Sequence, residues 1–262
     1  MATETFAVFN REFDRFTRTT ISKMEHEHTP AAISERLSEG PRQNYLRDWI
    51  YGGIDGSVTT FAVVSGVVGA RLSTWVIVVM GCANLVGDGF SMAASNFLGT
   101  RAEHEDLKRL EAIENRHIEL APDGEREEVR QIFESKGFRG RDLATVVDLI
   151  TADRTRWVKT MLTEEYGLPH SFRSPWLAAL TTFTAFSICG VVPLLPYLFG
   201  LSDALLLSIL LTGVVFFAIG SVKSRWSTAS WWNSGLLTLA VGAIAAGLAY
   251  SAGLVIDALS HR

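Results

Sequence analysis

The chain has 262 residues, 48% of them hydrophobic, and a formal charge of −4, enough for one large domain or two. Its two cysteines, Cys82 and Cys189, lie in apolar runs without a CxxC neighbour, so neither a disulfide framework nor a zinc knuckle is suggested. The absence of a GxxxxGK[ST] motif argues against an ATP-driven pump.

The charge is unevenly placed. Between Arg101 and Leu168 fall 16 of the 28 acids but only 12 of the 24 basic residues, so this segment carries the whole net charge. On either side lie uncharged runs of roughly twenty residues, the length a helix needs to cross about 30 Å of hydrocarbon. The expected fold is therefore all-α: a polytopic membrane protein with five transmembrane helices and a three-helix cytoplasmic metal-binding insert between spans 2 and 3.

Residues 1–45 read as an N-terminal amphipathic extension. Phe6, Phe9, Phe13 and Phe16 have helical spacing, and the first residues lack the basic head and apolar core of a cleaved signal peptide. Glu25, His26, Glu27 and His28 resemble a chelating cluster, although such a tract is more often a solvated turn. A helix is expected from Thr29 to Leu37, with Thr29 as N-cap and Pro30 at its first position.

The first two spans occupy residues 46–100. Span 1, about Trp49 to Ala70, opens with Gly52, Gly53, Asp55 and Gly56; the glycines permit close helix approach. A carboxylate at membrane depth costs about 2.5 to 3.5 kcal/mol and demands a partner, a cavity or a proton. No lysine or arginine lies inside any span to supply the partner, so function is favoured for Asp55, with shallow snorkelling to the interface as the main competing reading. Span 2, about Trp75 to Leu98, places Met80, Asn84, Asp88 and Met92 four residues apart as a slowly drifting stripe. Methionine one turn from an unpaired acid is more telling than methionine alone, which is usually core filler.

The second span continues without a breaker into the insert, residues 101–168. Its first helix carries Glu114 and His117 at i, i+3. A second, about Glu125 to Lys136, carries Glu125 and Glu128 and is closed by Gly137. A third, about Asp142 to Tyr166, carries Met161 and Glu165 inward and Glu164 outward. Several carboxylates buried together require cations, and oxygen ligands joined by imidazole and thioether favour a divalent transition metal over Mg(II) or Ca(II).

Residues 169–262 supply spans 3 to 5, at about Trp176 to Phe199, Asp203 to Val222 and Trp232 to Val255. They hold few polar groups beyond Ser and Thr and read as scaffold. Arg42 and Arg47, Arg101, Lys108 and Arg109, and Lys223 and Arg225 flank alternate span ends. By the positive-inside rule this makes the N-terminus and insert cytoplasmic and the C-terminus external.

The acid in a Gly-rich first span, the SMAAS segment Ser91–Ser95, and an acidic three-helix insert ending in MLTEEYGL resemble, in this order, the vacuolar iron transporter family over about residues 45–255. The resemblance implies a homodimer that exports Fe(II), and other divalent metals such as Mn, Co, Ni and Zn, in exchange for protons along an interface formed by spans 1 and 2. By position, Asp55 is similar to the family's first-span carboxylate and Met92 to its second-span methionine. Asn84 stands where the family has a glutamate, for which Asp88 could substitute. Glu114, Glu125, Glu128, Met161 and Glu165 match the family's metal positions. His117 stands where a glutamate is usual, and Leu162 where a second methionine can occur. The first 45 residues do not resemble the four-helix ferritin-like module of some related membrane proteins.

The expected function is thus proton-coupled metal export without enzymatic activity, organic cofactor or nucleic-acid partner, in a bacterial plasma membrane. Asp55, Asn84, Asp88 and Met92 form the pathway, and Glu114, His117, Glu125, Glu128, Met161 and Glu165 form the metal site. Two rivals remain: a carboxylate-bridged di-metal oxidase, which would need a second Glu-x-x-His pair, and a metal sensor that binds without translocation.

Overall fold

A computed structural model describes residues 27–40, 43–169, 173–224 and 228–260 and divides the chain into two compact units, Met1–Gln43 and Asn44–Arg262. The expected Phe6, Phe9, Phe13 and Phe16 face lies outside the described residues, as do Glu25 and His26 of the expected chelating tract. The first unit contributes α1, Pro30–Glu39. The Thr29 hydroxyl accepts from the Ala32 N–H at 3.3 Å, Pro30 takes the first turn, and Gly40 follows the last.

The second unit is all-helical among the described residues. Its helices are α2 (Leu46–Gly69), α3 (Thr74–Leu120), α4 (Pro122–Ser135), α5 (Gly140–Thr151), α6 (Arg154–Glu164), α7 (Pro175–Val191), α8 (Leu195–Leu198), α9 (Ala204–Lys223) and α10 (Trp231–Ser260). Five stretches are long and apolar enough to cross a membrane: α2, the first part of α3, α7 with its extension to Leu198, α9 and α10. The chain is a polytopic membrane protein.

The apolar helices pack around α2. Gly52 and Gly56, one turn apart, lie directly against α7; a Cβ on either would overlap the carbonyl oxygen of Thr182 or Phe186. Absent side chains thus let two backbones touch, the use expected for this glycine-rich opening. At the far end of α2, Phe61, Val64 and Val67 pack with Ile77 of α3 and with Leu194 and Tyr197. Arg71, after α2, pairs with Asp257 of α10 at 3.6 Å, so those two helix ends lie on the same side.

Helix α3 is continuous for 47 residues, about 70 Å at 1.5 Å per residue, so more than half of it projects beyond a 30 Å hydrocarbon layer. That projecting part forms the insert with α4, α5 and α6 around a core of Ile118, Val129, Leu143, Val147, Ile150, Trp157, Val158 and Met161. One expectation is corrected. The helix foreseen from Asp142 to Tyr166 is two helices, because Asp153 turns to extended geometry and its carboxylate accepts the Arg156 N–H at 2.7 Å, capping α6. The third span lies where expected, Pro175–Leu198, and its prolines Pro193 and Pro196 shape its end into a 3₁₀ turn, Val192–Leu194, before α8.

Candidate metal site and membrane pathway

The insert site begins with burial. Glu114 of α3 is 1% exposed and Glu125 of α4 is 5% exposed, beside a fully buried Met161 of α6. Tyr166 donates its hydroxyl to Glu114 Oε1 at 2.9 Å, and His117 Nδ1 lies 3.3 Å from Glu125 Oε1. The second oxygens, Glu114 Oε2 and Glu125 Oε2, are buried without a hydrogen-bond partner among the described residues. Glu128, Glu165 and His117 are exposed at the rim and do not point fully inward as the helical wheel suggests. Glu164 turns outward, as expected, to pair with Lys136.

These groups feel one another. Burial first, then the charges of Glu114, Glu128 and Glu165, push the Glu125 carboxyl from 4.5 up to about 7. Glu165 is raised by partial burial and then by Glu114 and Glu128, with His117 opposing. Tyr166 is raised too, by burial and then by its hydrogen bond to Glu114. The geometry is a set of converging charges, not a finished cage: among the described residues no three His, Cys, Asp or Glu side chains are placed to hold one ion. The two orphaned carboxylate oxygens are nevertheless the donors that a hard or borderline divalent cation accepts.

The membrane groups lie on α2 and α3. Asp55 is half-buried on α2, and Asp88 is exposed on the surface of α3. Neither carboxylate has an ion pair among the described residues. Asn84 donates to Thr59 Oγ1 at 3.1 Å and Thr60 Oγ1 at 3.3 Å, so it ties α3 to α2. Met92 is half-buried and Met80 is exposed, because a four-residue step turns a helix by about 40° and carries the stripe around α3.

One more step along that stripe reaches Asn96, which was not anticipated. Its amide donates to Asp48 Oδ1 at 3.0 Å, the Ala178 carbonyl at 3.3 Å and Thr182 Oγ1 at 2.7 Å. Asp48, 3% exposed, also receives Arg173 Nη1 at 2.8 Å on both oxygens. This network joins the insert-side ends of α2 and α7 to the middle of α3. The sequence signals were the stripe's next member and an acid seven residues, almost two full turns, before Asp55; the partner Arg173 stands just before span 3 and escapes a search confined to the spans.

Comparison with known proteins gives a consistent result. The model of the VIT family matches residues 46–254. The vacuolar iron transporter of Toxoplasma gondii is 30% identical over 226 residues, 82% of this chain and 75% of that protein. Vacuolar iron transporter 1 of Oryza sativa subsp. japonica is 30% identical over 209 residues, 78% and 82%. The Arabidopsis thaliana vacuolar iron transporter 1 is 26% identical over 251 residues, 94% of this chain and 98% of that one.

Proposed function

Because the chain belongs to the VIT family, whose relatives are named for iron transport, we propose that this metal-ion transporter exports Fe(II) from the cytosol in exchange for protons. Other divalent transition metals would follow the same path. The observation that carries the reading is the pair Asp55 and Asp88, two carboxylates on membrane-spanning helices without a basic partner among the described residues. Such groups are tolerable when they hold a proton or a metal ion, and exchanging one for the other is the elementary step of antiport.

Met92 adds a soft sulfur that an Fe(II) ion accepts and a Mg(II) ion does not. The insert, with Glu114, His117, Glu125, Glu128, Met161 and Glu165, gathers metal at the foot of the same helix that carries Asp88 and Met92. Asp88, Val86 and Phe90 are exposed on α3. An acid facing lipid is costly, so a second copy of the chain is the natural cover, with the pathway between two α2–α3 pairs. The basic residues beside alternate span ends support a cytoplasmic insert, and we place the protein in a bacterial plasma membrane. The relatives are named for vacuoles; in either membrane the insert would face the cytosol.

Purified protein in liposomes, loaded with an Fe(II)-sensitive dye and a pH dye, tests this directly. Wild type should move Fe(II) and protons in opposite directions, and Asp55→Asn should lower both fluxes by at least about 100-fold, consistent with loss of an essential charge at membrane depth. Equal flux in Asp55→Asn would remove Asp55 from the pathway.

A further inference from the structure

The Asp48–Arg173 pair is more than a tie between helices. It forms part of the wall of a cleft of about 330 Å³, between the insert-side ends of α2 and α7 and the middle of α3, whose walls also include Met92, Asn96, Glu103 and Arg47. The cleft therefore brings together a methionine of the proposed pathway, a buried carboxylate and, at Glu103, a residue of the part of α3 that leads to the insert. Asp48 lies on nearly the same face of α2 as Asp55, about 10 Å along the helix.

The two partners are held differently. Asp48 is in the first turn of α2 and is fixed by the Asn96 amide. Arg173 stands on a non-helical link ahead of α7 and keeps 26% of its side chain exposed, against 4% for Asp48. Its backbone carbonyl accepts from His104 Nε2 of α3 at 3.0 Å. A fixed carboxylate is thus neutralised by a guanidinium whose backbone is anchored but whose side chain stays partly open to solvent, and both carboxylate oxygens are satisfied through one guanidinium nitrogen. Taking that cation away leaves a buried, hydrogen-bonded anion whose strongest available remedy is another cation.

We propose that Arg173 is a built-in competitor for the transported ion: its guanidinium occupies Asp48 until a divalent metal leaving the insert displaces it on the way to Met92, and it returns to drive the ion onward. The inference rests on the transport reading for its direction. A built-in competitor weakens binding at the entrance and so prevents the metal from being trapped there, since a transport site must release what it binds. Asn96 holds the carboxylate in place during the exchange.

The test compares wild type with Arg173→Gln, Arg173→Lys and the double variant Asp48→Asn/Arg173→Gln, using Co(II) as an air-stable probe. Two quantities are read: the Co(II)-induced rise in melting temperature of the detergent-solubilised protein, and KM and maximal rate for Co(II) flux in liposomes. Arg173→Gln should show a larger Co(II)-induced rise than wild type and a KM lowered by about tenfold or more, as an uncompensated buried charge seeks a cation, with a lower maximal rate because release slows. Arg173→Lys, which keeps the charge, should stay near wild type, and the double variant should lose the extra Co(II) effect. If Arg173→Gln is merely less stable, with no added response to Co(II) and no fall in KM, the pair is a structural tie and the proposal is overturned. If the extra Co(II) response appears in Arg173→Gln but wild type carries no metal, the competitor site stands and the transport reading fails.

Discussion

The proposed insert site and the proposed membrane pathway use similar side chains in opposite ways. In the insert, three helices crowd carboxylates until Glu125 rises to about 7 and two carboxylate oxygens are left buried without a donor among the described residues. In the membrane, Asp55 and Asp88 are only two, and Asp88 is exposed on the chain's own surface. On the proposed reading, crowding builds strain that a metal ion would relieve, which favours capture, and sparseness would leave the ion few ligands to break, which favours passage. One helix, α3, carries Asp88 and Met92 in its apolar half and Glu114 near its far end.

The contrast breaks most visibly if crowding is removed. Glu125→Gln deletes a ligand and a repelling charge together. Since even outer-shell changes at metal sites cost about 10- to 100-fold in affinity, insert affinity for Fe(II) should fall by at least about 100-fold by titration calorimetry under anaerobic conditions. The metal-free protein should meanwhile melt at a higher temperature at pH 8, because the variant no longer forces a carboxylate to ionise beside Glu114. Flux at saturating metal should change only a few-fold. A metal-free variant less stable than wild type at pH 8 would show that Glu125 is held by partners rather than by repulsion.

How far the sequence carried this reading follows from particular residues. The spans and the unbroken α3 were legible because composition alone sets them, and the Gly52 and Gly56 contact because small residues one turn apart have few other uses. The break at Asp153 was not, because Leu143 through Leu162 keep a helical apolar pattern across it and only the capping hydrogen bond marks the change of direction. The wheel put Glu128, His117 and Glu165 inward, whereas burial stops at Glu114 and Glu125. Periodicity gives a direction on a helix; how deep that direction is buried depends on the neighbours. Asp48 and Arg173 lie 125 residues apart in the chain, and nothing local links them.

Protons sharpen the same comparison. Folding raises Glu125 above its ordinary 4.5, so the metal-free folded insert holds a proton more tightly than the unfolded chain. Its contribution to stability is therefore greatest below about 4.5 and is lost as pH rises through about 7. Metal binding must expel that proton. Insert affinity should drop by up to about tenfold per pH unit below 7 for each proton displaced, and level off above it. Anaerobic Fe(II) titrations between pH 5.5 and 8 would reveal the bend; an affinity flat across that range would mean that Glu125 is not a ligand.

The smallest effect concerns which metal the insert prefers. His117 is an exposed rim group 3.3 Å from Glu125, so it adds a nitrogen without changing the buried core of the site. Imidazole suits Zn(II), Co(II) and Ni(II) as well as iron, whereas a carboxylate shifts the donor set toward harder ions. His117→Glu should therefore lower the insert's affinity for Zn(II) and Ni(II) relative to Mn(II) by a few-fold, on the order expected for one exchanged ligand among several. It also adds a negative charge beside Glu125, whose carboxyl should then titrate still higher, so the bend in the Fe(II) pH profile moves upward. Unchanged metal ranking together with a shifted bend would assign His117 to the electrostatics of Glu125 and take it out of the coordination shell. Liposome flux through Asp55 and Met92 should keep its own metal ranking in this variant, because rim chemistry in the insert sets what is gathered and the pathway sets what passes.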